Sequence, residues 1–440
     1  MRRVAEAAFG QGDIEDSERR AAETMKHLTG RLPSGRLGWG MALGRALVRQ
    51  GIGWTFPRTR GARSEAERAH SLEAALVAGQ LASIFYFTGD AIPMVASLLM
   101  GVNFADRASS PSAVVESHAR LAYISGVAGV HRAANHYFDR ASKLANEQAN
   151  ASGRALTLYL HAFYQLGIAE WAHAEHQGRE ALKLLLEIGD RQDAEIAQTI
   201  AAHAVFFSGR LGDARRDYEQ VFESARGRGN RQHEAWGLFL LGRSDLAMGH
   251  LALAIDELER ARALLPLADR FAVAICCGLL AQAHLARGDL RKAEGVASVL
   301  DELTRSVLPL APSVHGYVGA ADVRLAAAER DRTDGRSRAA ARVASQNLAR
   351  FARTFPMARA ASLRVRARCD LLDDDVLRAT RRLKKSVASA REHAMPYEGA
   401  LSHALLSTVE VAPERARAHH AEAERLLTRI GAVSPRLSPR

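Results

Sequence analysis

The sequence predicts an all-α protein, an α-solenoid of about nine antiparallel helix pairs wound into a right-handed superhelix. Composition is the first observation behind this prediction. The 440-residue chain is 48% hydrophobic but only 6% aromatic, and it is rich in Ala, Leu, Arg and Glu, which favour helix over strand. The second observation is a turn glycine that recurs about every 40 residues. A fixed period of this length is typical of a repeat array.

The turn glycines follow helix-like segments at nearly equal spacing, with intervals of 40, 38, 42, 40 and 39 residues. A glycine accepts the positive φ that ends a helix. Each unit is therefore predicted to be a helix, a tight turn and a second antiparallel helix. The glycines are Gly89, Gly129, Gly167, Gly209, Gly249 and Gly288.

Small residues flank these glycines at fixed distances, which predicts close approach of the two helices. Seven residues before the glycine stand Ala82, Ala122, Ala202, Gly242 and Ala281, and the exception is Leu160 in the Gly167 unit. Five residues after it stand Ala134, Ala172, Ala214, Ala254 and Ala293, and the exception is Met94.

Polar turns continue the period towards the carboxyl end, in AERDRTDGR near 331, LLDDD near 373 and VEVAPER near 412. We therefore expect about nine helix pairs between 71 and 431. The predicted organisation is a partial repeat or helical segment at 1–30, a basic Gly/Arg-rich helix and linker at 31–66, the repeat array at 67–431, and a disordered tail at 432–440.

The spacing of small residue, glycine and alanine resembles the tetratricopeptide repeat (TPR), whose units are typically ~34 residues long. The period of about 40 implies longer helices or loops. Residues 64–90, 350–372 and 386–407, with the phrase MPYEGALSH at 395–403, also resemble the C-terminal repeat region of large bacterial signalling proteins. Such proteins carry a kinase or adenylate/guanylate cyclase domain, then an AAA- or STAND-type P-loop ATPase module, then repeats of this kind.

The sequence departs from that family where the chemistry would lie. It contains no G-x-x-x-x-G-K-[ST] motif and no Gly-Lys dipeptide, and no kinase, cyclase or G-x-S-x-G signature is visible. We therefore assign no catalytic and no cofactor-binding residue, and we predict that the chain is not an enzyme and needs no cofactor.

Histidine and cysteine spacing gives no metal or redox site. His173 and His176 share a helix face with only Glu175 beside them, fewer ligands than a zinc site needs. Cys276 and Cys277 lie in apolar sequence and are predicted to be buried thiols of a reducing compartment. The longest nearly uncharged run, 92–105, is too short to span a bilayer, and the basic N-terminus does not look like a signal peptide. The predicted location is the cytoplasm.

The formal net charge of +11 does not by itself indicate nucleic-acid binding. Only six of the 60 basic residues are lysine, and the arginines spread along the whole chain, whereas a nucleic-acid site needs a local patch. Residues 31–63 concentrate seven glycines and seven arginines around Trp39 and Trp54. This segment is predicted to pack on the first repeats; the alternative is a basic amphipathic segment that contacts an anionic membrane or an acidic partner.

The concave face is the predicted binding surface, because the first helix of each pair usually lines it. The residues next to the small position, with one residue a turn earlier, suit an extended or acidic peptide. The leading hypothesis is a scaffold or sensor module of a bacterial signalling system. The alternatives are a regulatory C-terminal part of a P-loop ATPase, kinase or cyclase protein, and the effector region of a transcription regulator. Partner identity, oligomeric state and membership of a longer protein stay open. The predicted partner-binding residues are Tyr123, Thr199, His203, Arg243 and Gln282.

Overall fold

The computed structural model describes residues 2–11, 13–55, 64–306 and 310–433. Within these ranges the chain forms 21 α-helices and two short 3-10 helices, Ala311–Ser313 and Pro356–Ala358, and no strand. The helices are α1 Arg2–Gly10, α2 Ile14–Thr29, α3 Gly35–Thr55, α4 Glu65–Thr88, α5 Ala91–Ala108, α6 Pro111–Val127, α7 His131–Glu147, α8 Ala151–Gly167, α9 Trp171–Glu187, α10 Arg191–Phe207, α11 Leu211–Arg228, α12 Arg231–Met248, α13 Leu251–Leu264, α14 Arg270–Ala286, α15 Leu290–Ser306, α16 Val314–Arg330, α17 Gly335–Thr354, α18 Arg359–Leu372, α19 Val376–Glu392, α20 Pro396–Val409 and α21 Pro413–Ile430.

Helices α4 to α21 form nine consecutive helix pairs, from α4 with α5 to α20 with α21. The predicted all-α array of about nine pairs is therefore confirmed. The polar turns predicted near 331, 373 and 412 separate α16 from α17, α18 from α19 and α20 from α21. At the second of these turns, the Asp375 side chain accepts a hydrogen bond from the Arg378 amide and so caps α19.

The turns recur every 20 residues, because each helix with its turn takes that length in the first half of the array. The turn residue has a positive φ each time, whether or not it is glycine. The positions are Gly89, Ser109, Gly129, Ala149, Ala169, Gly189, Gly209, Gly229 and Gly249.

The predicted turn at Gly167 is wrong. Helix α8 runs through Gly167, and Ala169 takes the left-handed conformation with φ 66°. With this correction the small residues of the unit are Ala162 and Ala174, both fully buried, instead of Leu160 and Ala172. The misassignment arose because an alanine occupies the turn, at a cost of about 1–2 kcal/mol in the left-handed region, while a glycine stands two residues before it.

The small residues let paired helices approach closely. A Cβ on Gly242 of α12 would lie 2.7 Å from Leu258 Cγ and 3.1 Å from the carbonyl oxygen of Ala254, both on α13. In the neighbouring units Ala202 and Ala214 are also fully buried. A larger side chain at Gly242 would therefore force the two backbones apart.

The N-terminal helices cover the beginning of the array. Helices α1 and α2 pair with each other, α2 contacts α4, and α3 contacts α5. Helix α3 buries Trp39, Ala42 and Ala46, as expected for a segment that packs on the first repeats. The side chain of Trp54 and residues 56–63 lie outside the described part of the chain.

Helix α4 is the one described helix long and apolar enough to cross a membrane by length and composition. However, 61% of its apolar window is buried inside the protein. It contributes Val77, Leu81 and Ile84 to a core cluster with α1, α2, α3 and α5. A core helix of a soluble protein has these same properties.

The array closes on itself, so that its concave face is internal. Helix α4 contacts α14, and the rings of Phe87 and Trp236 lie 5.8 Å apart between centroids. The Trp171 indole N–H donates to the carbonyl oxygen of His393 at 2.6 Å. At the carboxyl end, the Val433 amide donates to Ala247 O at 2.9 Å; residues 434–440 of the predicted tail lie outside the described residues.

Candidate functional site

An apolar cavity of about 260 Å³ lies between the first helices of successive pairs. Its lining comes mainly from α4, α6, α8, α10, α12 and α14, and it is dominated by aromatic and aliphatic side chains. Helix α4 faces α14 across it because the array closes on itself. Its aromatic lining residues are Tyr86, Tyr123, Phe163, Trp236, Phe239 and Phe271, together with Tyr159, Phe9 and Phe87.

One position of the repeat supplies the concave lining in every unit from α4 to α14. It is the residue that directly follows the buried small residue of the first helix. The first four of these residues line the apolar cavity and the last two line a second cavity. They are Ser83, Tyr123, Phe163, His203, Arg243 and Gln282.

The structure thus brings Tyr123, Thr199 and His203 together in the first cavity, and Arg243 and Gln282 together in the second. The sequence analysis missed Ser83 and Phe163. A strict 40-residue step from Tyr123 to His203 passes through Phe163, so the signal was present once the turn is placed at Ala169.

Tyr123 is packed inside the first cavity and is only 4% exposed. Its ring stacks on Phe163 at 5.1 Å between centroids, and its hydroxyl lies 3.4 Å from that of Tyr86. Burial raises the pKa of both phenols above the ordinary value, so both stay neutral. Tyr123 therefore contributes a flat apolar surface with one polar end.

A polar group interrupts the apolar lining at the start of α10. The Tyr159 hydroxyl donates to Asp193 Oδ2 at 3.0 Å, and both residues line the first cavity together with Arg120. Burial raises the pKa of Asp193 to about 6. Arg120 is itself paired with Glu116 at 3.1 Å. This group gives the cavity a hydrogen-bonding end.

A chain of hydrogen bonds connects the two cavities. The Tyr218 hydroxyl lies 3.1 Å from His203 Nδ1 and accepts a hydrogen bond from Arg243 Nη2. Since an arginine can only donate, the Tyr218 hydroxyl is left to donate to His203. On its other side, Arg243 Nη1 donates to His315 Nε2 at 2.9 Å.

Both histidines of this chain are neutral. Burial, followed by the nearby positive charge of Arg243, holds the pKa of His203 and of His315 well below the ordinary value. The guanidinium of Arg243 lies over the Phe206 ring at 3.8 Å from the centroid. Arg243 thus carries the charge of this group, and its neighbours accept its hydrogen bonds without neutralising it.

The second cavity, of about 90 Å³, lies between this chain and the C-terminal helices α16, α18 and α20. Asp322 accepts hydrogen bonds from Arg368 at 2.8 Å and from Gln282 at 2.9 Å, and it is ion-paired with Arg364 at 3.6 Å. Glu398 is paired with Arg364 at 3.2 Å. Both carboxylates of this cavity are therefore occupied by arginines of α18.

The residues weighed for metal or redox chemistry lie elsewhere. His173 and His176 are 70% and 79% exposed on α9, facing Glu170 and Glu180 respectively. In the described part of the chain no three His, Cys, Asp or Glu side chains are grouped to hold a metal ion. Cys276 and Cys277 are buried as expected, and burial raises the pKa of both thiols. The cavities are thus built for binding.

The sequence matches no family model and no curated protein. Among solved structures, it is similar to a Rap protein complexed with competence and sporulation factor, with 11% identity, a TM-score of 0.48, and coverage of 93% of this chain and 100% of that one. It is also similar to a signal transduction ATPase with numerous domains (STAND) that has a tetratricopeptide repeat sensor, from Pyrococcus horikoshii. That match has 14% identity, a TM-score of 0.45 and coverage of 77% of this chain.

This chain spans 53% of the length of the Pyrococcus protein. A third similar structure is the TPR domain of P58(IPK), with 14% identity, a TM-score of 0.20, and coverage of 81% of this chain and 98% of that domain. The predicted resemblance to tetratricopeptide-like helical repeat proteins is confirmed. At these identities the likeness concerns the fold alone, and the array of helix pairs stands on the structure of this chain.

Proposed function

We propose that the chain is a non-catalytic interaction or sensor module that binds a peptide or a peptide segment of a protein partner in the two concave cavities. The proposal includes the predicted setting, a signalling system in the bacterial cytoplasm. It also keeps the predicted division, in which 67–431 is the binding array, 1–30 and 31–66 are N-terminal additions, and 432–440 is a tail.

One observation carries this proposal. A single register position sends six successive side chains into two adjacent cavities, and those side chains change along the array from aromatic to polar and cationic. An extended chain presents side chains at regular steps, so a row of repeats with different lining residues can read it. The apolar first cavity suits an aromatic or aliphatic anchor side chain.

The test is selection of peptides from a random dodecamer library displayed on phage, with the full chain as bait. We expect selected peptides to carry an aromatic or branched aliphatic residue. Thr199→Trp and Leu160→Trp each fill part of the first cavity from half-buried positions, and each is expected to weaken binding of the selected peptides at least tenfold.

The matched control is Leu186→Trp, since Leu186 lies on α9, is 55% exposed and lines neither cavity. This variant should bind as the wild type does. Circular dichroism and the unfolding temperature of each variant establish that the fold is kept. A library that yields no binding peptide, or peptides that bind the Thr199→Trp variant at full strength, would refute the proposed function.

A further inference from the structure

Arg243 is a buried cation whose counter-ion is missing from the described residues. It stands in the middle of α12, is 2% exposed, and lines the second cavity. Within the described ranges, no carboxylate lies in ion-pair distance of its guanidinium; its polar contacts are Tyr218 and His315. By contrast, the similarly buried Arg364 and Arg368 each pair with two carboxylates.

The surroundings of Arg243 stabilise its shape more than its charge. Of its five N–H groups, one on Nη1 and one on Nη2 donate to protein acceptors, and Nε has no hydrogen-bond partner although it is buried. Ring faces at Phe206 and Tyr218 supply cation–π contacts. Such contacts are weaker than an ion pair and do not compensate for removing a charge from water.

The protein's own carboxylates in this cavity are already paired. Asp322 is held by Arg364, Arg368 and Gln282, and Glu398 is held by Arg364. Moving either carboxylate to Arg243 would leave an arginine of α18 unpaired in its place. A buried charge left without a partner is strongly destabilising, so the counter-ion has to come from outside this ion-pair network.

We propose that Arg243 binds a carboxylate of the ligand in the second cavity, either the side chain of an acidic residue or the C-terminal carboxylate of a peptide. A guanidinium with unused N–H groups offers a carboxylate paired, charge-assisted hydrogen bonds in one plane. The inference rests on the proposed peptide-binding function and names the chemical group recognised there. It places the acidic group beside Arg243 and the apolar anchor of the same ligand in the first cavity.

Acetate is the probe that tests the Arg243 site without a peptide. The unfolding temperature of the full chain is followed against sodium acetate, with sodium chloride at equal ionic strength as reference. A ligand that binds the folded state raises this temperature with concentration, and the curve gives its affinity. We expect acetate to stabilise the wild type, and the apparent affinity to fall at least tenfold in Arg243→Met.

Two further variants keep this test decisive. Arg243→Lys keeps the charge but loses the planar fork, and it should also bind acetate at least tenfold more weakly, so the test survives if Arg243→Met does not fold. Arg179→Met is the matched control, because Arg179 forms a two-point ion pair with Asp217 outside both cavities. This control should keep the wild-type response to acetate.

Phosphate, measured in the same way, separates a carboxylate site from a general anion site. Stabilisation by phosphate without acetate, an equal acetate response in wild type and Arg243→Met, or no acetate response in the wild type would each overturn the proposal. The selected peptides distinguish this failure from failure of the proposed function. Peptides that bind the wild type and Arg243→Lys equally, with or without a carboxylate, would leave peptide binding standing and remove the role of Arg243.

Discussion

Asp193 is a carboxylate that lies in a largely apolar cavity, and its position is costly at neutral pH. Burial raises its pKa from the ordinary 3.8 to about 6, so the charged form is less stable in the folded state than in the unfolded state. Each unit of pKa difference corresponds to about 1.4 kcal/mol. A folded-state pKa that is raised in this way lowers stability above pH 6, and the penalty decreases as the pH falls from 6 towards 4.

We therefore predict that Asp193→Asn stabilises the protein by roughly 1–2 kcal/mol at pH 7.5, after allowance for partial exposure and a lost charge at the start of α10. The amide oxygen can still accept the hydrogen bond from Tyr159. The gain should shrink towards zero near pH 4, because the wild-type carboxyl is then protonated in both states. Urea unfolding at pH 7.5, 6 and 4.5 measures it.

Asp190→Asn is the control for this prediction. Asp190 caps the same helix by accepting from the Asp193 amide at 3.1 Å, and its side chain does not line the cavity. Asparagine is an equally good N-cap, so this variant should show no comparable gain at pH 7.5. A lower stability of Asp193→Asn at pH 7.5 would mean that Arg120 stabilises the charged carboxylate more than burial opposes it.

At the residue scale, the sequence located the binding face but not its chemistry. The register of small residues was enough to place Tyr123, His203 and Arg243 in concave cavities, because a 40-residue repeat sends equivalent residues to equivalent places. Phe163 was missed because the turn was assigned to Gly167 instead of Ala169. The missing counter-ion of Arg243 was beyond prediction, since it depends on which carboxylates α16 and α20 present and on the arginines of α18 that hold them.

At the element scale, the turns fix the length of each helix, and several turns use residues other than glycine. Ser109, Ala149, Ala169, Asp374 and Ala394 all adopt a positive φ. The helices end there because the next helix must start in the opposite direction and pack on the last one. Packing therefore imposes the left-handed residue where the local sequence does not favour it, which explains why a search for glycines found only part of the period.

Ala149, in the turn between α7 and α8, is suited to test this cost because it is exposed, with φ 49°. We predict that Ala149→Gly stabilises the protein by about 0.5–1 kcal/mol, since glycine adopts this conformation without strain. Removing an exposed methyl group sacrifices little packing. Urea unfolding monitored by circular dichroism gives the difference.

Ala172→Gly is the matched control, because Ala172 is equally exposed but lies inside α9. There glycine costs about 1 kcal/mol relative to alanine. The two substitutions are thus expected to change stability in opposite directions. If both destabilise the protein, the entropy of the unfolded glycine outweighs the strain relieved at the turn.

At the scale of the whole molecule, the array differs from a simple row of repeats. In a solenoid each repeat contacts only its neighbours, and stability is close to a sum of local terms. Here Trp171 contacts a residue 222 positions away at His393, and Asn230 donates to the carbonyl oxygen of Gly10 at 3.0 Å. The sequence predicted the pairs and their inward face, but not this closure. Small angles between successive pairs accumulate over the array, and no local pattern encodes their sum.

We predict that Trp171→Leu loosens this closure. Trp171 is 6% exposed, stacks on Phe207 at 5.1 Å between centroids, and donates its indole N–H across the molecule. Losing the ring and its donor should cost about 2–4 kcal/mol. Because the lost contacts join α9 to the turn before α20, the radius of gyration from small-angle X-ray scattering should increase, and urea unfolding should become less cooperative.

Phe138→Leu provides the comparison for this whole-molecule effect. Phe138 is fully buried on α7 and packs on His161 and Tyr164 of the next helix, so its loss should lower stability while leaving the radius of gyration unchanged. If Trp171→Leu behaves like Phe138→Leu, the Trp171 contact contributes only local packing, and the concave cavities are kept closed by other contacts such as Asn230 with Gly10. If it expands the molecule, the same contact also controls access to the cavities, and peptides selected on the wild type should associate faster with the variant.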